Sequence, residues 1–190
     1  MAVKNVLLVG VGGQGTILAS KLLTIGLVAA GYDVKMSEIH GMSQRGGSVS
    51  TQVRFGDHVD SPVIEAGGAD MIVSFELMEA LRWLSYLKPQ GCVVVNQFRI
   101  NPMPVASGKA VYPDDILERL QAAAQVVALD AAKIAAGLGN PRVMNVVLLG
   151  TIIRFMQLED IDWEKIVRDN VKPAFADLNV AALRAGMAAL

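Results

Sequence analysis

Cysteine is almost absent from this 190-residue chain, which has a single one, Cys92. One thiol cannot build a disulfide framework. It also cannot supply the set of cysteine ligands that an iron–sulfur cluster or a structural zinc ion takes from one chain. Cys92 opens the apolar run "CVVVN", where a buried structural thiol is the expected state. From its residues alone, the chain is predicted to hold no metal.

Excess charge and long hydrophobic runs are also missing. The net charge of −1 gives no basic footprint for nucleic acid or for an anionic membrane. The apolar run "VMNVVLLGTII" between Arg142 and Arg154 is too short to span a bilayer. The opening residues "MAVKNVLLVGVGGQG" show neither a cationic leader nor a cleavage site, and we interpret them as a first strand. We expect a soluble, cytoplasmic protein with a single domain over residues 1–190.

Short apolar runs alternate with helical patterns along most of the chain. Strands are predicted at 3–9, 33–37, 69–74, 92–96, 109–113 and 125–129. Helices are predicted at 14–30, 77–87 and 114–124, and everything after Asp130 has a helical pattern. Asn140 and Pro141 supply the first residues of an apolar helix that ends near Gln157, and Pro173 opens the last helix. This order predicts an α/β fold with a mostly parallel sheet and a helical C-terminal region.

An inserted β-hairpin is predicted within the parallel sheet. The segment "SVSTQVRFG" (48–56) places Val49, Thr51, Val53 and Phe55 on one face, as a half-exposed strand does. The turn residues "GDH" then lead into "VDSPVI", where Pro62 indicates an edge strand.

The motif "GVGGQG" places Gly10, Gly12 and Gly15 in G-x-G-x-x-G spacing between the first strand and the first helix. Such a turn lets a phosphate approach the backbone N–H groups at the helix N-terminus. A dinucleotide would also require an acid at the end of strand two. There "DVKMSE" has Lys35 and Ser37, which are not acids, and then Glu38, which we assign to the following glycine-rich loop. Three interpretations stay open: a phosphate-bearing ligand, a dinucleotide, or tight strand–helix packing alone.

The segment "SEIHGMSQRGGSVS" (37–50) is polar and glycine-rich in a chain that is 53% hydrophobic. Arg45 offers a planar fork suited to a carboxylate or a phosphate, and Gly46 and Gly47 allow a ligand or partner to come close. The alternatives are a solvated loop cation and an ion pair with Glu38. The loop follows strand two, so we expect it at the carboxyl edge of the sheet, close to the glycine turn.

Taken together, "GVGGQG" and "SEIHGMSQRGGSVSTQVRFG" resemble the γ-type domain of the 2-oxoacid:ferredoxin oxidoreductases, over nearly the whole chain and including "MNVVLLG". Within that family, "SEIHGMSQRGGSV" followed by "SPVI" is most similar to the β subunit of the indolepyruvate enzymes. The resemblance implies a Rossmann-like three-layer sandwich. It also implies a required but non-catalytic subunit of an enzyme that oxidises aryl-2-oxoacids to acyl-CoA.

The resemblance further implies that the cofactors are held elsewhere. Thiamine diphosphate, Mg²⁺ and the iron–sulfur clusters are expected on a larger α subunit, and ferredoxin is expected to meet the assembled hetero-oligomer. CoA is a candidate ligand at the interface. The residues predicted to contact a cofactor or partner are Gly10, Gly12, Gly13, Gln14, Gly15, Glu38, Ser43, Arg45, Gly46 and Gly47.

Several of the polar residues have structural alternatives. The amide of Gln14 is as well suited to capping the helix as to a ligand, whereas structural roles are favoured for His40 and Asn145. Two other functions stay open: a free-standing NAD- or flavin-dependent oxidoreductase, and a nucleotide-binding regulatory module.

Overall fold

A computed structural model of the chain describes residues 2–41 and 46–190. The six strands that it contains form a single sheet, and they are β1 (Lys4–Val11), β2 (Asp33–His40), β3 (Ser48–Gly56), β4 (Ala69–Ser74), β5 (Leu87–Asn96) and β6 (Gln125–Leu129). The order across the sheet is β2-β3-β1-β4-β5-β6. The β1, β4, β5 and β6 strands are parallel to one another, whereas β3 runs antiparallel to both of its neighbours.

Helices cover both faces of the sheet. They are α1 (Thr16–Ala29), α2 (Leu77–Trp83), α3 (Met103–Ala106), α4 (Ile116–Ala123), α5 (Ala131–Gly137), α6 (Met144–Phe155), α7 (Trp163–Asn170) and α8 (Ala176–Ala188). One hydrophobic cluster joins the sheet to α1, α5, α6, α7 and α8, and the other joins it to α2 and α4. The predicted α/β three-layer architecture with a helical C-terminal region is therefore confirmed.

The hairpin exists, but its predicted partner is wrong. The β3 strand pairs with β2 from Asp33 opposite Gly56 to His40 opposite Val49, and residues 57–68 contain no strand. Side chains hold that segment instead: Arg54 donates to two of its carbonyls, and Gln52 accepts from the Ile64 N–H at 2.5 Å. The prediction of a half-exposed strand is also wrong. Lying second from the sheet edge, β3 is buried over most of its length.

Two further predicted elements differ from the structure. Residues 109–113 form no strand, because Tyr112 turns inward and its hydroxyl donates to the Glu76 carboxylate at 2.5 Å. The predicted helix 77–87 ends at Trp83, and a 3-10 turn leads into β5 at Leu87.

The α6 and α8 helices pack with their backbones in contact. A Cβ added at Gly186 would lie 1.9 Å from the Val147 carbonyl oxygen, and one added at Gly150 would lie 2.3 Å from that of Leu183. Both separations are far below van der Waals contact, so only glycine fits at either position. The N-terminal end of α6 is thereby fixed, and this end supplies Asn145 to the site described next.

Candidate functional site

The glycine turn after β1 is shaped by steric contacts at the carboxyl edge of the sheet. A Cβ at Gly10 would lie 2.9 Å from both the Gln14 Oε1 and the Phe75 Cβ. Gly15 has a φ of 83°, in the left-handed region, and a Cβ there would lie 2.6 Å from Nδ2 of Asn145. That amide donates to the Gly15 carbonyl at 3.2 Å, as the structural alternative for Asn145 predicted. The packing role of these glycines is therefore present, whether or not a ligand binds.

The two sequence motifs are joined by backbone hydrogen bonds. The Gly12 N–H donates to the Gly47 carbonyl at 2.9 Å, and the Gly46 N–H donates to the Gly12 carbonyl at 3.4 Å. These bonds extend the β1–β3 ladder beyond Val11 and Ser48. The predicted proximity of the glycine turn and the glycine-rich loop is confirmed for Gly46 and Gly47.

A cleft of about 400 Å³ opens between the turn and the end of β2. Its lining includes Gly12, Gly13, Gly15, Thr16, Ile17, His40 and Val49. The N-cap residue of α1 is Gly15, which has no side chain to cap the helix, and the first turn of α1 contains no acidic residue. The backbone N–H groups of a helix N-terminus attract an anion. An anionic group of a ligand or partner therefore suits this cleft.

Both ends of the Gln14 amide bind backbone groups of the protein. Its Oε1 accepts from the Val11 N–H and its Nε2 donates to the Phe75 carbonyl, both at 2.8 Å, and the residue is only 8% exposed. These contacts correspond to the structural alternative, because the amide shapes the turn.

The prediction that Glu38 belongs to the glycine-rich loop is wrong, because β2 continues to His40 and includes Glu38. Its Oε1 lies 3.4 Å from the Ser20 Oγ, and its Oε2 lies 3.6 Å from the His40 Nε2. Glu38 therefore links β2 to α1 beside the cleft. The predicted residues Ser43 and Arg45 lie outside the described residues, as does the proposed Glu38–Arg45 pair.

The position of β3 bears on dinucleotide binding. It lies between β1 and β2, so the end of β2 is two strand spacings from β1, about 10 Å. In dinucleotide-binding folds the ribose-binding acid ends the strand beside β1. Here β3 occupies that place and runs in the opposite direction, and its first residue there is Ser48.

The site contains four buried side chains that were not identified from the sequence, those of Glu76, Glu79, Asn96 and Tyr112. Asn96 donates to the Phe75 carbonyl at 3.2 Å and accepts from the Ala131 N–H at 2.9 Å. The Phe75 carbonyl therefore binds the amides of both Gln14 and Asn96. The buried carboxylate of Glu76 accepts hydrogen bonds from the Glu79 and Ile100 N–H groups and from Tyr112. The signal in the sequence was position alone: Asn96 is the last residue of β5, and Glu76 lies two residues after the end of β4.

A second cleft, of about 280 Å³, lies on the α2 side of β1. Its lining includes Val11, Gly46, Ser48, Glu76, Met78, Glu79, Arg82, Ile100 and Pro102. The Glu79 carboxylate accepts from the Ser48 hydroxyl at 2.5 Å and from the Arg82 Nε at 3.1 Å. Gly46 therefore lines the second cleft. Its neighbour Gly47 is hydrogen-bonded to the glycine turn, which lines the first cleft.

Two groups near the core have displaced pKa values. Burial raises the pKa of the Cys92 thiol to about 11, as expected for a buried structural cysteine. Burial, followed by the hydrogen bond to Glu76, raises the pKa of the Tyr112 hydroxyl well above its usual value. Both groups therefore stay protonated near neutral pH. In the described ranges, no three His, Cys, Asp or Glu residues lie close enough to hold a metal ion.

Across residues 2–41 and 46–190, every helix is too short or too polar to cross a membrane.

Comparison with known proteins gives a consistent result. Residues 5–189 match the family model described as pyruvate ferredoxin/flavodoxin oxidoreductase. The chain is 39% identical to indolepyruvate oxidoreductase subunit IorB of Thermococcus kodakarensis and 40% identical to IorB of Pyrococcus horikoshii, over 97% of this chain and 95% of each relative. The structure is also similar to that of the keto/oxoacid ferredoxin oxidoreductase γ subunit from Geobacter sulfurreducens. That comparison gives a TM-score of 0.72 at 22% identity over 98% of this chain and 97% of the other, which supports the fold.

Proposed function

Since the chain belongs to the pyruvate ferredoxin/flavodoxin oxidoreductase family, we propose that it is the smaller, non-catalytic subunit of an indolepyruvate:ferredoxin oxidoreductase. The observation that carries this proposal is the match to the IorB relatives over nearly the full length of both chains. The family resemblance identified from "GVGGQG" and "SEIHGMSQRGGSV" is confirmed. We place the assembled enzyme in the cytoplasm.

The redox cofactors are proposed to reside on a larger partner subunit, and ferredoxin to meet the assembled hetero-oligomer. Iron–sulfur clusters take several thiolates, whereas this chain offers one buried thiol that stays protonated at neutral pH. The residues of this chain therefore do not fit a cluster. We likewise assign thiamine diphosphate and its Mg²⁺ to the partner.

The carboxyl edge is the proposed contact surface for the partner, with CoA or a diphosphate as the candidate ligand. We propose that Gly12, Gly13 and Gly15, which line the first cleft at the N-terminus of α1, approach the anion, and that Gly10 and Gln14 hold the turn in shape. From the adjoining loop, we propose that Ser43, Arg45, Gly46 and Gly47 contact the partner or the ligand. Glu38 is proposed to orient the end of β2 beside them.

The subunit assignment is tested by reconstitution. We expect no viologen reduction by the isolated chain with indolepyruvate and CoA, and activity when the cofactor-bearing subunit is added. Activity of the isolated chain would contradict the proposal. Calorimetry with NAD tests the alternative that the chain is a free-standing dehydrogenase. Micromolar affinity for NAD would support that alternative.

Arg45→Ala tests the contact surface. The described loop ends, Gly41 and Gly46, are exposed, so truncation should change folding stability by no more than about 0.5 kcal/mol. Loss of a charged contact at a desolvated interface costs roughly 2–5 kcal/mol, so the Kd for the partner or the KM for CoA should rise at least tenfold. Arg45→Lys should recover only part of this loss, since lysine keeps the charge without the planar fork.

Lys165→Ala is the matched control for charge. Lys165 is exposed, pairs with Asp169 and lies beside Ala29 at the opposite end of α1 from the glycine turn. The control should assemble normally. An Arg45→Ala variant that melts several degrees lower but assembles and turns over normally would make Arg45 a structural loop residue.

A further inference from the structure

We infer that Glu79 is a positioning residue. By binding Ser48 it fixes the end of the glycine-rich loop that leads into β3, at residues 46–48, and thereby the contacts of that loop with the partner. The inference rests on the proposed function of the carboxyl edge.

The carboxylate of Glu79 is unusual because it is buried. It is only 4% exposed, and removal of an ionised carboxylate from water is costly unless strong hydrogen bonds replace the lost solvation. Those bonds come from the Ser48 hydroxyl at 2.5 Å and the Arg82 Nε at 3.1 Å, one to each carboxylate oxygen. Neither partner is in the hydrophobic core. The carboxylate therefore faces the second cleft, beside Gly46.

The bond to Ser48 acts where the loop joins the sheet. Ser48 is the first residue of β3 and directly follows Gly47, whose carbonyl accepts from the Gly12 N–H. This end of the loop is consequently held on two sides. Backbone hydrogen bonds fix it to the glycine turn after β1, and the Ser48 side chain fixes it to α2.

The helix that carries Glu79 is itself firmly anchored. Its N-cap residue Glu76 accepts from the Glu79 N–H at 2.9 Å, from the Ile100 N–H at 3.1 Å and from the Tyr112 hydroxyl. These bonds tie the start of α2 to the connector that follows β5. Glu79 therefore presents a fixed acceptor to Ser48.

An ion pair with Arg82 alone does not account for this arrangement. The Arg82 side chain is 53% exposed, and a helical pair three residues apart stabilises a helix by only a few tenths of a kcal/mol. A fully solvated glutamate would supply the same pair without any desolvation cost. The hydrogen bond to Ser48 is the contact that joins α2 to the loop, because Arg82 belongs to α2 itself.

The test measures binding of the partner by variants of the whole subunit. Ser48→Ala and Glu79→Ala should each raise the Kd for the partner about tenfold, the equivalent of one hydrogen bond to a charged group. Ser48→Thr keeps the hydroxyl and Glu79→Gln keeps an acceptor oxygen, so both should restore binding to within about threefold. A Ser48→Ala defect that Ser48→Thr does not correct overturns the inference.

Combination with Arg45→Ala separates this inference from the proposed function. If Ser48 acts by placing the loop, removal of Arg45 should reduce the further effect of Ser48→Ala on Kd, because one of the contacts that the loop makes is already lost. An undiminished effect in the Arg45→Ala background would make Ser48 and Glu79 independent of the loop and would overturn their positioning role. If Arg45→Ala alone leaves Kd unchanged, the contact surface itself is wrong.

Discussion

The Phe75 carbonyl should behave as a shared acceptor in a double-mutant cycle. It receives the Gln14 amide at 2.8 Å and the Asn96 amide at 3.2 Å, and all three residues are buried. Gln14→Leu and Asn96→Leu each leave this carbonyl with one side-chain donor, whereas the double variant leaves it with neither. The cost of combining the two changes should therefore exceed the sum of the single costs.

The expected magnitudes follow from the groups that lose their partners. Gln14→Leu also strands the Val11 N–H, and Asn96→Leu strands the N–H of Ala131. A buried donor without a partner costs about 1–3 kcal/mol, so each single variant should lose about 2 kcal/mol of unfolding free energy. The orphaned carbonyl should add about 1 kcal/mol in the double variant. The total of about 5 kcal/mol is a large fraction of the stability of an ordinary domain.

Urea unfolding at 25 °C, followed by circular dichroism, measures the four free energies. The control cycle combines Gln14→Leu with Asn179→Leu. Asn179 is also buried and donates to a carbonyl, that of Phe175, but it shares no partner with Gln14. This control should be additive within about 0.5 kcal/mol. Additivity of the Gln14–Asn96 pair within the same limit would refute the shared-acceptor argument.

Three further outcomes concern the core, the helix pair and the acid range. Native Cys92 should resist a thiol reagent at pH 8 and react once urea unfolds the chain, since it is buried with a pKa of about 11; fast native labelling would contradict its burial. Gly186→Ala should lower the melting temperature by several degrees, because its Cβ would overlap a backbone oxygen. The control Gly137→Ala lies in open space and should be neutral or slightly stabilising. Equal effects of the two variants would refute the close packing of α6 and α8. The Lys35 ammonium lowers the pKa of Asp33, so the stability from this pair should be complete above pH of about 4 and be lost as the pH falls through the lower folded value; an NMR titration that places Asp33 at or above its usual pKa would contradict it.

The layer architecture was predictable because buried parallel strands and amphipathic helices each carry a local signal. The partner of β3 was not. Alternation in "SVSTQVRFG" indicates a strand, but it does not say which strands lie on its two sides, and the nearby turn residues at 56–58 suggested the wrong partner. Burial of this strand on both faces depends on its place in the sheet, which is decided by contacts distant in sequence.

The candidate site was predictable to the extent that glycine patterns fix backbone shape. The motifs at 10–15 and 46–47 were expected to meet, and Gly12 and Gly47 do so. Glu76 and Glu79 were missed because glutamates in "FELMEA" ordinarily face solvent from a helix. Their burial arises from Tyr112, Ile100 and Ser48, which belong to segments far away in the chain.

The interposed position of β3 has a consequence for how the site is assembled. The β2 strand follows β1 in the sequence but is not its neighbour in the sheet. The next strand, β3, lies between them. The first cleft needs β3 because Val49, which lines it, belongs to that strand, and because the Gly47 carbonyl, which binds the glycine turn, directly precedes that strand. The proposed contact edge therefore depends on the complete sheet, and a sheet without β3 would leave the glycine turn without its contacts to Gly46 and Gly47.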